Sequence, residues 1–337
     1  MTGPSVDGVL IECGERLFYP SNRIVASRQA RLRSGVGARA AVIRDRIRAT
    51  VVRRAPQVMV KVTGGGRGMA AIAAHFRYIA KGGRLPFEDD RGVVSEGKEA
   101  LRDLVWQWQY GGSYIGETSH RREAFNIMLS MPNGVDALTV QRAAREFAHA
   151  ELADHRWVMV LHDHQSNPHV HLSVRAESVH GHRLNPRKAD LQRWRETFAE
   201  RLRGWGIDAE ATRQATRGQL RNYEPLWRLK AREEGRLRSS WAGSKSGAAT
   251  ERSRKEAAIA WAHIARTLAG SDDPADRDLA ERIDRFVGET AFARAYTQRR
   301  DRDGARLSVG REVSGAAEQS QARLTSAPAE RTPEPRR

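Results

Sequence analysis

Cysteine is almost absent from this chain, which has one, Cys13, among 337 residues. A single thiol excludes a disulfide framework, which suits a reducing compartment, and it makes a structural zinc site closed by thiolates less expected. The sequence also has no apolar run near the roughly 20 residues of a membrane span, and its N-terminus lacks the charged-then-apolar layout of a signal peptide. We therefore expect a cytoplasmic protein with no membrane insertion.

Acidic residues are outnumbered. Lys and Arg total 58 against 41 Asp and Glu, which gives a formal net charge of +17 at pH 7. An excess of this size indicates a polyanionic partner, and nucleic acid is the default candidate. A basic protein with a solvated surface is the alternative that charge alone leaves open.

Nucleotide-binding fingerprints are missing as well. The segment Gln57–Thr63 alternates valines with other residues and is predicted to form a strand with one buried face. The glycine-rich stretch Gly64–Gly68 that follows has neither the Gly-Lys-Ser/Thr of a P-loop nor the pattern G-x-G-x-x-G. Its backbone amides can approach a phosphate, but the stretch alone does not indicate nucleotide binding.

Four histidines lie within ten residues, from His162 to His171, in the run H-D-H-Q-S-N-P-H-V-H. Apolar residues on either side predict two β-strands joined by a polar turn at Gln165–Asn167. Side chains alternate along a strand, so His169 and His171 share one face while Val170 occupies the other.

If these strands pair as a hairpin, His162 lies near His169 and His171. The three imidazoles then supply three nitrogen ligands for a divalent metal and leave coordination positions open. A solvated histidine-rich turn and a structural zinc site are the alternatives.

A helix is predicted over Met69–Lys81, ended by Gly82 and Gly83. At about 100° per residue its apolar side chains cluster on one face, and Tyr78 lies almost opposite Met69. We therefore expect the phenol to face away from the core, on a floor of alanines beside cations, as a phosphoryl-transfer nucleophile would. An ordinary surface tyrosine is the alternative.

Aromatic residues gather between positions 92 and 120, where Trp106, Trp108, Tyr110 and Tyr114 are interleaved with basic residues and glycines. Such side chains can stack on the bases of an unwound strand. Packing of a helix is the competing interpretation, especially for Trp108, because its spacing from the neighbouring leucines is helical.

Composition predicts four segments. Residues 1–56 form a basic arm, partly helical around Ala38–Val52, that either orders on a phosphate backbone or is a disordered solubilising tail. Residues 57–230 form the main domain, for which we expect an α+β fold, an antiparallel sheet with helices packed on one face. A helical extension over 231–297 and a disordered basic tail over 298–337 follow.

Several blocks in the main domain resemble, in the same order, those of plasmid mobilisation relaxases of the HUH endonuclease superfamily, of the MOB-P type and akin to T-DNA border nucleases. The blocks are Val60–Arg67, Ala74–Lys81, Ile127–Pro132, the His169-Val170-His171 motif and Arg183–Lys188. The resemblance covers roughly residues 57–230. The agreement of several ordered blocks makes it specific.

The resemblance implies a reaction. A tyrosine hydroxyl attacks one phosphodiester of single-stranded DNA at a plasmid origin of transfer, leaving a reversible 5′-phosphotyrosine link and a free 3′-hydroxyl for conjugative transfer. It implies Tyr78 as the nucleophile. It also implies His162, His169 and His171 as ligands of a divalent metal, Mg²⁺ or Mn²⁺.

The resemblance also implies partners. Accessory relaxosome proteins and a type IV secretion coupling protein are expected beside the DNA, in the bacterial cytoplasm or with the protein exported on its DNA. Side chains expected to contact the DNA are Lys61, Arg67, Arg77, Lys81, Ser130, Arg175, Arg187 and Lys188.

One position departs from the family pattern. The family usually has an acid two residues after its first histidine, where this chain has His164. Asp163, or Asp90 with its acidic neighbours Glu88 and Asp89, is the expected substitute as base or as an orienting partner of a ligand. The other interpretation is reduced activity. Arg175 also lies where an asparagine is common.

Two other functions stay open at this point. One is a rolling-circle replication initiator or single-strand transposase of the same superfamily. The other is a non-catalytic basic nucleic-acid-binding protein with a structural metal site.

Overall fold

The structure is a computed structural model that describes residues 5–19, 35–164, 167–219, 224, 226–237, 239–243, 247–291, 293 and 294. Two residues of the predicted histidine turn, Gln165 and Ser166, lie outside the described residues. So do residues 20–34 of the predicted arm and the whole of the predicted tail, 298–337.

A six-stranded antiparallel sheet organises the main domain. Its spatial order is β1-β4-β6-β5-β2-β3, and the two longest strands, β4 and β6, lie side by side near its middle. The strands are β1 (Met59–Gly64), β2 (Phe87–Asp89), β3 (Val94–Ser95), β4 (Ala124–Ser130), β5 (Trp157–His162) and β6 (His169–Arg175).

Helices connect and extend the sheet. They are α1 (Val6–Phe18), α2 (Val36–Val51), α3 (Met69–Ile79), α4 (Lys98–Tyr110), α5 (Ala137–Glu151), α6 (Lys188–Gly204), α7 (Leu226–Glu233), α8 (Ala248–Ala269) and α9 (Pro274–Gly288). None of these described helices combines the length and apolar composition that crossing a bilayer requires.

One face of the sheet carries the larger core. The alternation of side chains along β4 and β6 places Ile127, Leu129 and Leu172 on this face, where α5 and α6 cover them. Each buried leucine or isoleucine contributes about 1.5–3 kcal/mol through removal of apolar surface from water. The α+β class and the antiparallel sheet are thus confirmed.

Helices also pack against the opposite face. There α3 and α4 form a second cluster with Val158 and Val160 of β5, in which the rings of Phe76 and Trp108 meet edge to face at 4.8 Å. Helices therefore cover both faces of the sheet, whereas the sequence led us to expect them on one face. Helices are needed on both faces because β5 has apolar side chains on both of its sides, and both sides must be shielded from water.

The N-terminal segment is helical and packed where it is described. Helix α2 coincides with the predicted helical stretch, and it crosses α1 closely at Gly14, where a Cβ atom would clash with Ile43. Helix α1 also packs against α8. Arg46 is buried and forms ion pairs with Glu196 and Glu210.

The chain divides into two compact units, residues 1–217 with 246–284 and residues 218–245 with 285–337. The first unit contains the whole sheet. In the second, Arg228 pairs with Glu224 and lies over the ring of Trp241. The four segment boundaries given by composition stay predictions.

Candidate active site

Strand pairing brings the three predicted ligands together. His162 of β5 lies directly opposite His169 of β6, and His171 lies two residues further along β6 on the same face. This is the face on which α3 packs, because the intervening Val170 points into the larger core. The hairpin geometry expected from the sequence is therefore what the structure has.

The three imidazoles form a compact cluster. Their ring centroids are 4.6 Å apart for His162 and His171 and 5.1 Å apart for each pair that includes His169. One nitrogen from each ring can be chosen so that all three lie within 4.8 Å of one another. His162 and His169 are buried, and His171 is partly buried.

Backbone carbonyls orient two of the three rings. The Nε2 atom of His162 lies 2.7 Å from the carbonyl oxygen of Ile79, and Nδ1 of His169 lies 2.9 Å from that of Asn167. A ring nitrogen facing a carbonyl must donate, so each ring turns a lone pair on its other nitrogen toward the cluster. The Nδ1 atom of His171 is buried and has no hydrogen-bond partner in the protein, so it is free to interact with a bound ligand.

Burial lowers the pKa of two of the three imidazoles. Burial lowers the pKa of His171 to about 3, reinforced by the charge that neighbouring imidazoles would carry. Burial likewise lowers the pKa of His162 below its usual value. Neutral imidazoles are the form that binds metal ions, so the lowered pKa values of His162 and His171 and the unpartnered Nδ1 of His171 fit a divalent metal.

Tyr78 lies beside this cluster. Its side chain is 64% exposed, and its ring centroid is 6.3 Å from that of His171, edge to face. The outward orientation expected from the helical period is thus observed, because Ile72, Phe76 and Ile79 hold the opposite face of α3 in the core.

His75 completes this surface and was missed by the reasoning from sequence. It lies one turn before Tyr78 on α3, and its ring centroid is 6.2 Å from that of Tyr78 and 6.3 Å from that of His171. Its Nε2 is buried without a protein partner, and burial lowers its pKa to about 4. The available signal was its spacing of three residues from the tyrosine.

Four predicted DNA-contacting cations lie on this side of the sheet or in its loops. Lys61 is exposed in β1, level with Met128 of β4, which in turn pairs with His171. Arg77 is exposed on α3, and Arg67 is exposed in the glycine-rich stretch. Lys81 follows α3 in the left-handed region, with φ of 48°, and its charge contributes to lowering the pKa of His162.

Two predicted DNA contacts are buried. Ser130 pairs with His169 across the strands, and its Oγ lies 3.3 Å from the carbonyl oxygen of Pro168. Arg175 is 3% exposed, and its guanidinium donates to the carbonyls of Trp108 and Ser113. Arg175 therefore fixes the end of α4 to the sheet, an arrangement that does not favour the predicted contact with DNA.

Arg187 and Lys188 are exposed at the start of α6. This helix packs on the face of the sheet opposite the histidines, and Arg187 takes part in its capping box with Asp190. The structure therefore does not bring these two cations to the histidine cluster.

The predicted acidic substitutes are mostly engaged elsewhere. Glu88 pairs with Arg145, and Asp89 accepts hydrogen bonds from Arg91 and from the backbone of Val93. The backbone N–H of Asp90 donates to the carbonyl of Trp157, at the far end of β5.

Trp157 lies five positions before His162, about 16 Å along a strand, so the structure does not bring Asp90 to the cluster. Asp163 directly follows His162 and is exposed. The His164 ring lies 5.1 Å from that of His162.

Of the four aromatic residues between positions 92 and 120, one packs within the fold and three are exposed. Trp108 is buried against Phe76 and packs α4. Trp106, Tyr110 and Tyr114 are exposed and form a row with successive ring centroids 5.5 and 5.6 Å apart.

Comparison with known families agrees with this geometry. Residues 98–207 match the family model of the relaxase MobA/VirD2-like nuclease domain. This similarity of residues 98–207 supports a relaxase of the HUH superfamily. The matched segment contains all three clustered histidines, and the block with Tyr78 precedes it. A comparison with curated proteins gave no match.

Proposed function

We propose that this relaxase nicks one strand of DNA at a plasmid origin of transfer through Tyr78. The product is a protein joined to the 5′ end of the nicked strand, and reversal of the step rejoins the DNA after transfer. The observation that carries this proposal is the position of the exposed Tyr78 ring, 6.3 Å from His171 of the histidine cluster.

A divalent metal fits this cluster. His162, His169 and His171 would hold it, and when bound it supplies a Lewis acid that polarises the scissile phosphate and offsets developing negative charge. Of the two predicted ions, Mn²⁺ suits imidazole donors better than Mg²⁺, which prefers an oxygen shell.

The nucleophile's own step is a transesterification. The Tyr78 hydroxyl oxygen attacks phosphorus and forms the new O–P bond, while the bond from phosphorus to the 3′ oxygen breaks. The phenol loses its proton, and the leaving 3′ oxygen gains one. Because a tyrosine has a reference pKa of about 10, the attack needs a base or a cationic setting. Arg77 and Lys81 are the cations nearest to Tyr78 in the sequence.

The substrate strand is positioned by charge. Lys61 and Arg67 lie on the histidine side of the sheet or in the loop that precedes α3, where they can contact phosphates on either side of the scissile bond. Accessory relaxosome proteins and a type IV coupling protein are the partners that conjugative transfer would require.

Adduct formation tests the proposal. The protein is incubated with labelled single-stranded oligonucleotides tiling a plasmid origin of transfer, with Mn²⁺ or Mg²⁺, and analysed on a denaturing gel. A protein–DNA band that resists denaturant is expected for the wild type and absent for Tyr78→Phe. Tyr114→Phe is the matched control, because that tyrosine is also 64% exposed.

Two outcomes would contradict the proposal. No adduct with any oligonucleotide would favour a non-catalytic DNA-binding protein. An adduct that forms only at a replication origin or a transposon end would favour the initiator or transposase alternatives.

A further inference from the structure

A cavity lies between α3 and α4, and Arg77 is the one lining residue that also enters the chemistry proposed above. It measures about 480 Å³, which lies within the usual range of small-molecule sites. Its floor is apolar, and three of the side chains at its wall are cationic. It is lined by Ala73, Phe76, Arg77, Gly82, Lys98, Leu101, Arg102 and Val105.

Two of the three cations around the cavity have no acidic partner within the described residues. Within the described part of the chain, neither Arg77 nor Lys98 forms an ion pair, and no carboxylate lines the cavity. Arg102 pairs with Glu99 at 3.2 Å, but both side chains are largely exposed, so this pair exchanges readily with another anion. An apolar floor beneath several cations is complementary to a ligand that is both flat and anionic.

The cavity is close to the nucleophile. Arg77 contributes to its wall and immediately precedes Tyr78, whose side chain emerges further around α3. A helix with its side chains is about 10 Å across, which corresponds to roughly three nucleotides of a stacked strand. A DNA strand lying over the exposed surface of α3 can therefore reach both the cavity and Tyr78.

We propose that the α3–α4 cavity binds one nucleotide of the substrate strand, with the base on the apolar floor and its phosphate against Lys98 and Arg77. This inference rests on the proposed function only in taking DNA as the ligand. It adds a site within about three nucleotides of the scissile phosphate. At this site the protein contacts both a base and the phosphate backbone of the DNA strand.

Filling the cavity tests the site without nicking chemistry. All variants carry Tyr78→Phe, and binding of fluorescein-labelled (dT)12 and (dA)12 is followed by fluorescence anisotropy. Val105→Trp is expected to raise the Kd of the tighter-binding oligonucleotide about tenfold, since contact with one base is lost. Val93→Trp, at an exposed position outside the cavity, is expected to leave the Kd unchanged. Equal affinities of the two variants would overturn the proposal.

Thymidine 5′-monophosphate provides a second measurement. Saturation-transfer NMR is expected to show transfer to its base protons, weaker transfer to thymidine, and loss of both in Val105→Trp. Transfer that survives in this variant would contradict the site. Because no DNA cleavage enters either measurement, a failure of Tyr78 chemistry leaves their outcome unaffected.

If Val105→Trp does not fold, Lys98→Gln tests the proposed site instead. Lys98 is exposed, so Lys98→Gln should fold normally. It is expected to reduce the slope of log K against log salt for (dT)12 by about one. Lys255→Gln, exposed on α8, is the control and should leave the slope unchanged. An unchanged slope in Lys98→Gln would overturn the proposal.

Discussion

The imidazole of His162 is hydrogen-bonded to the carbonyl oxygen of Ile79 at 2.7 Å. This bond joins the histidine cluster on the sheet to the end of α3, one residue after Tyr78. The same contact therefore ties the ring orientation of a proposed metal ligand to the end of the helix that carries Tyr78, the proposed nucleophile.

Loss of the His162 ring is expected to affect metal binding strongly. His162→Ala removes one of three nitrogen donors, and even outer partners of a ligand are worth about 10–100-fold in affinity. We expect Mn²⁺ affinity, measured by titration calorimetry, to fall at least about 100-fold. His155→Ala, which removes a histidine outside the cluster, is the control. Unchanged Mn²⁺ affinity in His162→Ala would contradict the assignment of the site.

The identity of the metal can be tested by competition. Three imidazoles without a carboxylate are a nitrogen donor set, which Mn²⁺ accepts more readily than Mg²⁺. We expect Mn²⁺ to bind more tightly than Mg²⁺ and to support adduct formation at a lower concentration. Tighter binding of Mg²⁺ would indicate oxygen ligands in place of the three nitrogens.

The buried His75 predicts an acid-sensitive contribution to stability. Its folded pKa of about 4 lies below the ordinary 6.5, so the unfolded chain binds the proton first as pH falls. The contribution is complete above about pH 6.5 and is lost progressively toward pH 4, with an upper limit of ~3 kcal/mol.

Thermal melts of metal-free protein between pH 7 and pH 4.5 measure this effect. His75→Phe keeps an aromatic ring but removes the titration, so its Tm should fall less over this range than that of the wild type. Identical pH dependence in the two proteins would show that His75 does not contribute.

Arg175 and Lys61 are expected to behave in opposite ways. Arg175→Met leaves the carbonyls of Trp108 and Ser113 without their donor, which should cost about 1–3 kcal/mol of unfolding free energy. Lys61→Gln should leave stability unchanged and reduce the salt dependence of DNA binding by about one unit of slope. Chemical denaturation and DNA titrations at several salt concentrations separate the two. A reduced salt slope in Arg175→Met at full stability would restore it as a DNA contact.

The two tryptophans of α4 provide a matched pair. Trp108 is buried against Phe76, so Trp108→Ala should destabilise the fold by about 3–5 kcal/mol. Trp106 is 64% exposed, and Trp106→Ala should change the free energy of unfolding by less than about 0.5 kcal/mol. Similar losses in both variants would show that Trp106 also packs in solution.

Much of the fold follows from local periodicity. The alternation in β1, β4 and β6 and the spacing of apolar residues in α3 depend only on near neighbours, so the strands, the histidine hairpin and the outward Tyr78 were predictable. Arg175 was not, because its role depends on carbonyls more than 60 residues away. The packing of α1 with α8 and the short strand β2 likewise depend on distant partners.

Covalent attachment of Tyr78 to DNA would distinguish a relaxase from a protein that only binds DNA. The most direct measurement is peptide mass spectrometry of the protein–DNA adduct after nuclease and protease digestion. We expect a nucleotide 5′-phosphate on the peptide that contains Tyr78 and on no other peptide. A nucleotide found on another residue, such as Tyr110 or Tyr114, would contradict the account.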